Sequence, residues 1–197
     1  PSAAIAALSA IETSIESKFN DPITVTIAVS WQNMGAGILG STGSYFTATT
    51  YTTARLALQN GQDSNDVIED HLPSGSSIGV RYNGNSSAVT NESIVYWTRA
   101  NYRAAVGTVS GQAASMTFNS AFAWDFDPTN GVSGYSFRDV VAHEVGHALG
   151  FVSRVDYGAS VTDMTAMDLY RFQTTDGTGD YNPDSYAEFK IRPRLVD

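Results

Sequence analysis

The chain has 197 residues, a formal net charge of −9 and no cysteine. A length near 200 suits one domain with its own core. The missing thiols exclude disulfides and thiolate metal sites, so any metal must be held by His, Asp or Glu. Eleven Lys and Arg are scattered among twenty Asp and Glu, which argues against a nucleic-acid or anionic-membrane surface. Ser and Thr abound while Lys18 and Lys190 are the only lysines, a weakly charged, hydroxyl-rich balance that points to a secreted protein. No apolar run approaches the roughly 20 residues that span a bilayer. Pro1 has no charged or apolar leader behind it, as expected of a mature or trimmed form.

Residues 2–19 predict an amphipathic helix, because Ile5, Leu8, Ile11, Ile15 and Phe19 recur at spacings of three and four. Residues 23–29 alternate apolar and hydroxyl side chains and predict a half-buried strand. A Gly/Ser loop is expected from Gly35 to Ser44, helices over 51–60 and 65–72, and short strands at 78–82 and 94–97. Thr98 caps a predicted helix that runs to Val106 and stops at Gly107. Met116 to Phe126 predicts a further strand, and the last residues are expected to carry no terminal element. Helices and strands are mixed, which predicts an α+β domain over 1–197. Its N-terminal lobe is 1–150, and a C-terminal lobe starts at 151.

The chemistry concentrates between Tyr135 and Gly150. Ser136 and Asp139 have capping-box spacing, Tyr135 and Val140 can form a hydrophobic staple, and Gly150 stands where a helix-ending glycine belongs. On that helix His143 and His147 are one turn apart, so both imidazoles leave the same face. Two neutral imidazoles at this spacing can fill two corners of a tetrahedral zinc ion. Glu144 is rotated about 100° from His143, poorly placed as a ligand but able to reach a water and act as general base. Two of only three histidines fall at this spacing. His71 is expected at a helix end on the surface.

The pattern His143-Glu144-x-x-His147-x-x-Gly150 resembles the metzincins. With Asn119–Pro128 and Met167–Phe172, the run from Ala142 to Asp156 is similar to secreted bacterial zinc metallopeptidases, many of which carry a PEP-CTERM sorting tail. The resemblance is firm over about residues 95–172. It implies a zincin fold, a twisted mixed sheet with an edge strand lining the cleft and the helix beneath. It also implies a further His-bearing segment and a Gly-Ile-Met-Asp-Pro-like turn past residue 197, so the chain is expected to be a fragment or a processed form. The third metzincin ligand would fall at Ser153, a poor zinc ligand. Asp156 is the nearest downstream carboxylate, with Asp168 or a residue beyond 197 as alternatives. The expectation is a secreted zinc endopeptidase acting on protein or peptide substrates, with His143, His147 and Asp156 on zinc and Glu144 as base. The rival is an inactive zincin-fold metal-binding or surface interaction module. Asp125–Gly131 and Asp176–Asp184 group oxygen donors as structural calcium loops do, but they lack the closing Glu and read more readily as plain Asp/Asn/Gly turns. Asp139 is either a capping residue or an orienter of His143. Tyr157 and Tyr170 are candidate hydroxyl donors to an oxyanion. Met164 or Met167 would stand in for the Met-turn, or simply pack.

Overall fold

The computed structural model describes residues 2–82, 89–131, 133–154, 163–172 and 183–196. In chain order its elements are α1 (Ser2–Glu16), β1 (Ile27–Gln32), β2 (Gly40–Ser44), β3 (Phe46–Thr50), α2 (Tyr51–Gly61), β4 (Ile78–Tyr82), β5 (Thr90–Glu92) and β6 (Ile94–Thr98). There follow α3 (Arg99–Ala105), β7 (Ala114–Asn119), β8 (Trp124–Asp125), β9 (Tyr135–Ser136), α4 (Phe137–Leu149), α5 (Tyr186–Ile191) and β10 (Arg194–Val196). The protein is thus mixed α+β. No helix among the described residues is long and apolar enough to cross a membrane. The chain divides into two compact units, Pro1–Tyr45 with Thr98–Ala104 and Val109–Phe151, and Phe46–Trp97 with Ala105–Thr108 and Val152–Asp197.

In the first unit β7 is the middle of a three-stranded sheet, parallel to β1 and antiparallel to β2. Alternation along β7 turns Ala114, Met116 and Phe118 to one buried face. Ala4 and Ala7 of α1 and Phe137, Val141 and Ala148 of α4 close over them as one core. The Phe137 ring lies 4.9 Å from Phe118, 5.2 Å from Trp124, 5.0 Å from Phe126 and 5.5 Å from Trp31, centroid to centroid. Aromatic pairs of this kind add about 0.5–1.5 kcal/mol each beyond area burial, so this cluster fixes the first turn of α4. Leu8, Ile11 and Ile15 of α1 line an apolar cavity of about 540 Å³ with Ile27, Val29 and Val145, which leaves their stripe half-buried.

In the second unit β4 lies between β10 and β5, and β3 pairs with β6. Arg194 of β10 is fully buried. Its Nε donates to the Leu169 carbonyl and its Nη1 to those of Phe189 and Arg192, while the guanidinium lies 4.8 and 4.6 Å from the Phe172 and Phe189 ring centroids. Burial away from water lowers its pKa to about 10.

Several elements differ from expectation. The first strand is displaced to 27–32, because its partner β7 begins only at Ala114. The expected Gly/Ser loop holds a strand, β2, paired to β7 from Gly40↔Phe118 to Ser44↔Ala114. The expected 116–126 strand breaks after Asn119 and resumes as β8. Only one 3-10 turn, Ile68–His71, forms within 65–72; Asp63 Oδ1 accepts the Asn65 and Asp66 N–H groups and competes with a helix. The C-terminal stretch carries α5 and β10. α1 ends at Glu16, short of the expected residue 19, where Lys18 N–H bonds back only to the Ile15 carbonyl.

Candidate metal centre

α4 carries the His143–His147 segment, and both of its ends match their sequence signals. Ser136 caps the helix by accepting the Asp139 N–H. At the other end Gly150 is left-handed with φ +119°, its N–H donating to the His147 carbonyl and that of Phe151 to the Gly146 carbonyl. This is a Schellman turn. It folds the chain back so that the Phe151 carbonyl lies 2.8 Å from His147 Nδ1. A carbonyl only accepts, so Nδ1 carries the proton and the His147 Nε2 lone pair is free. That lone pair faces His143 Nε2 at 3.0 Å. A tetrahedral zinc with Zn–N bonds of about 2.05 Å holds two nitrogens about 3.3 Å apart. The pair therefore needs to open by only about 0.3 Å to share one ion.

Glu144 points elsewhere, as its helical offset requires. It is 6 % exposed, and its Oε2 is buried without a hydrogen-bond partner. A buried carboxylate oxygen left without a donor is costly. The described residues therefore offer two of the donors a zinc ion would need, the imidazole nitrogens of His143 and His147, one with its tautomer fixed, with the Glu144 carboxylate off to the side.

β2 holds this geometry in place. Its alternation puts Gly40, Thr42 and Ser44 toward α4, where Thr42 Oγ1 donates to the Glu144 carbonyl at 3.1 Å and Ser44 Oγ to the His147 carbonyl at 2.9 Å. A Cβ on Gly40 would stand 3.0 Å from Glu144 Oε1, so glycine is what lets the strand pass the carboxylate. The segment leading into β2 is organised by buried Asn119. Its Nδ2 donates to the Gly35 and Ile38 carbonyls and its Oδ1 accepts the Met34 and Ala121 N–H groups. Between that segment and α4 runs a cleft of about 420 Å³, lined by Ile38, Leu39, Gly40, Val140, His143 and Glu144 among others.

No family model, no curated protein and no solved structure matches the chain.

The other expected residues are distributed as follows. Asp156 and Tyr157 lie outside the described residues, as does the 176–182 part of the second candidate calcium loop. Among the described residues no three His, Asp or Glu side chains gather as one metal-binding group. Asp168 is fully buried and its carboxylate is engaged: Oδ2 accepts Ser153 Oγ, Thr165 N and Thr165 Oγ1, and Oδ1 meets Arg171 Nη1 at 3.0 Å. Ser153, at the metzincin ligand position, thus uses its hydroxyl on Asp168. His71 ends the 3-10 turn and stacks on Tyr186 at 3.9 Å. Tyr170 donates its hydroxyl to Glu69, and Met164 is fully buried. In the first candidate calcium loop, Asp125 accepts the Asp127 and Ser133 N–H groups and Asp127 accepts Thr129 N and Oγ1, as an Asx-type turn does.

Gly40, Thr42, Ser44 and Asn119 were not legible as site residues. The only signal for the first three is their spacing of two, hidden in a composition that reads as loop.

Proposed function

We propose that the protein is a secreted zinc-dependent endopeptidase of zincin type. The observation that carries this is the convergence of His143 and His147 Nε2 to 3.0 Å, with His147 held in one tautomer by Phe151, beside a buried Glu144 oxygen that lacks a partner. A zinc ion held by the two imidazoles and a third donor, for which Asp156 is the candidate, would supply Lewis acidity to the scissile carbonyl and acidify a bound water.

The chain's own residues do the rest. Glu144 takes the proton of the attacking water and delivers it to the departing amine nitrogen, so the proton count closes over the cycle. Phe151 keeps the His147 lone pair pointed outward, and β2 holds the backbone of Glu144 and His147 through Thr42 and Ser44. The hydroxyl-rich, lysine-poor composition supports an extracellular setting.

Metal content and casein hydrolysis for wild type, Glu144→Ala and Asp156→Ala test this. The expected outcome is one zinc per chain in wild type, retained zinc with no hydrolysis in Glu144→Ala, and loss of both in Asp156→Ala. Full activity in Glu144→Ala would sink the proposal. Stoichiometric zinc in wild type with no hydrolysis of any substrate would favour the rival, a metal-binding module without turnover.

A further inference from the structure

Asp139 is a carboxylate without an assigned task. Its N–H takes the Ser136 cap, but its exposed carboxylate forms no hydrogen bond or ion pair with the described residues, neither back to Ser136 nor onward to His143. Neighbouring Arg138 forms no ion pair with it among the described residues. Residues 139, 143 and 147 follow one another at i, i+4 and i+8, so Asp139 stands one turn, about 6 Å along the axis, from His143. It also lines the cleft that His143 and Glu144 share with the apolar Ile38, Leu39 and Val140, and that lining holds no Lys or Arg. A cleft that sets aliphatic side chains beside an exposed carboxylate suits a side chain with an aliphatic stem and a cationic head.

We propose that Asp139 is a specificity residue that selects peptides with Lys or Arg next to the scissile bond. This rests on the peptidase function above. The stem lies along Ile38 and Val140 and the cationic head meets Asp139, where solvent exposure keeps the attraction modest and salt-sensitive.

Two measurements test it. The first is kcat/KM for quenched-fluorescence peptides that differ only in carrying Lys, Leu or Glu beside the cleaved bond. Wild type is expected to prefer Lys over Leu over Glu. Asp139→Asn lowers the Lys-to-Leu ratio about fivefold with the Leu peptide little changed, and Asp139→Lys makes Glu the preferred residue. The second is calorimetric binding of the same peptides to zinc-loaded Glu144→Ala, with and without Asp139→Lys, which reads the preference without turnover. Thermal midpoints confirm that each variant keeps its fold. An unchanged order in Asp139→Lys overturns the inference while leaving the peptidase function standing. Absent cleavage with Lys-selective, Asp139-dependent binding overturns the peptidase function and keeps the cleft preference.

Discussion

Replacing Gly40 with alanine puts a methyl carbon 3.0 Å from Glu144 Oε1, 3.1 Å from Glu144 Cγ and 3.1 Å from Val140 Cγ1. These contacts are short by a few tenths of an ångström against ordinary carbon packing, so something must shift. The strand cannot simply back away, since Thr42 and Ser44 tie it to the Glu144 and His147 carbonyls. Val140 flanks the cleft, and α4 is anchored by the Phe137 cluster. The Glu144 side chain is the softest of these parts, and it is displaced. Misplacing a reacting group by 1 Å costs about a hundredfold in rate, so a shift of a few tenths predicts roughly a three- to tenfold fall in kcat/KM. Overpacking costs about 1–3 kcal/mol, and the lower entropy of an unfolded alanine returns about 0.4–1 kcal/mol, so at about 2–4 °C per kcal/mol the melting temperature falls by at most about 10 °C. Gly43→Ala is the matched control, because a Cβ there meets nothing within 4 Å. The assay is peptide hydrolysis by both variants at equal zinc loading, with thermal melts alongside. Equal activity in Gly40→Ala and Gly43→Ala would show that Gly40 does not hold Glu144 in register.

Two further outcomes follow from other parts of the molecule. Gly150→Ala forces a side chain into φ +119° and drives its Cβ into the Asn101 carboxamide; a loss of about 2–4 kcal/mol is expected. Zinc affinity should drop with it, since the Phe151 carbonyl loses its place under His147; a variant that binds zinc as tightly as wild type would refute that link. Glu69 is buried, and burial first, then its contact with Asp66, raises its carboxyl above the usual range. The folded state therefore binds this proton more tightly than the unfolded chain, and its contribution to stability is full below about pH 4.5 and lost as pH rises through the folded pKa. Glu69→Gln keeps an acceptor for Tyr170 and should match or exceed wild type in urea melts at pH 7, with the advantage vanishing near pH 4. A lower midpoint at pH 7 would contradict this.

What the sequence disclosed was whatever is encoded locally. α4 was legible from end to end because Ser136 and Gly150 mark its limits and His143 and His147 share one face through a fixed helical spacing. β4 and β6 announced themselves by dense β-branched and aromatic residues. β2 did not, since Gly40, Ser41, Thr42, Gly43 and Ser44 have little preference for extended structure. Its strand exists because β7 pairs with it and α4 accepts its hydroxyls, contacts with residues at least 70 positions away in the chain. The same holds for Asn119, whose four hydrogen bonds organise the approach to the cleft from a position that reads as the end of a strand. The start of β1 four residues later than expected shows the other side of this. The alternation of Ile23, Val25, Ile27, Val29 and Trp31 permits a strand over its whole length, and only the partner decides which part is paired.

β2 ends the sheet on its own side, and a terminal strand offers its unpaired backbone groups to any extended chain, including the same strand of another molecule. Its side chains are two glycines, two serines and a threonine. Two copies pairing there would bury almost no apolar surface, and backbone hydrogen bonds exchanged for those with water give only a small net gain. The open margin therefore does not drive self-assembly. The lack of bulk that lets β2 lie against α4 thus makes this margin a poorer template for a second strand than a Val- or Ile-rich one would be.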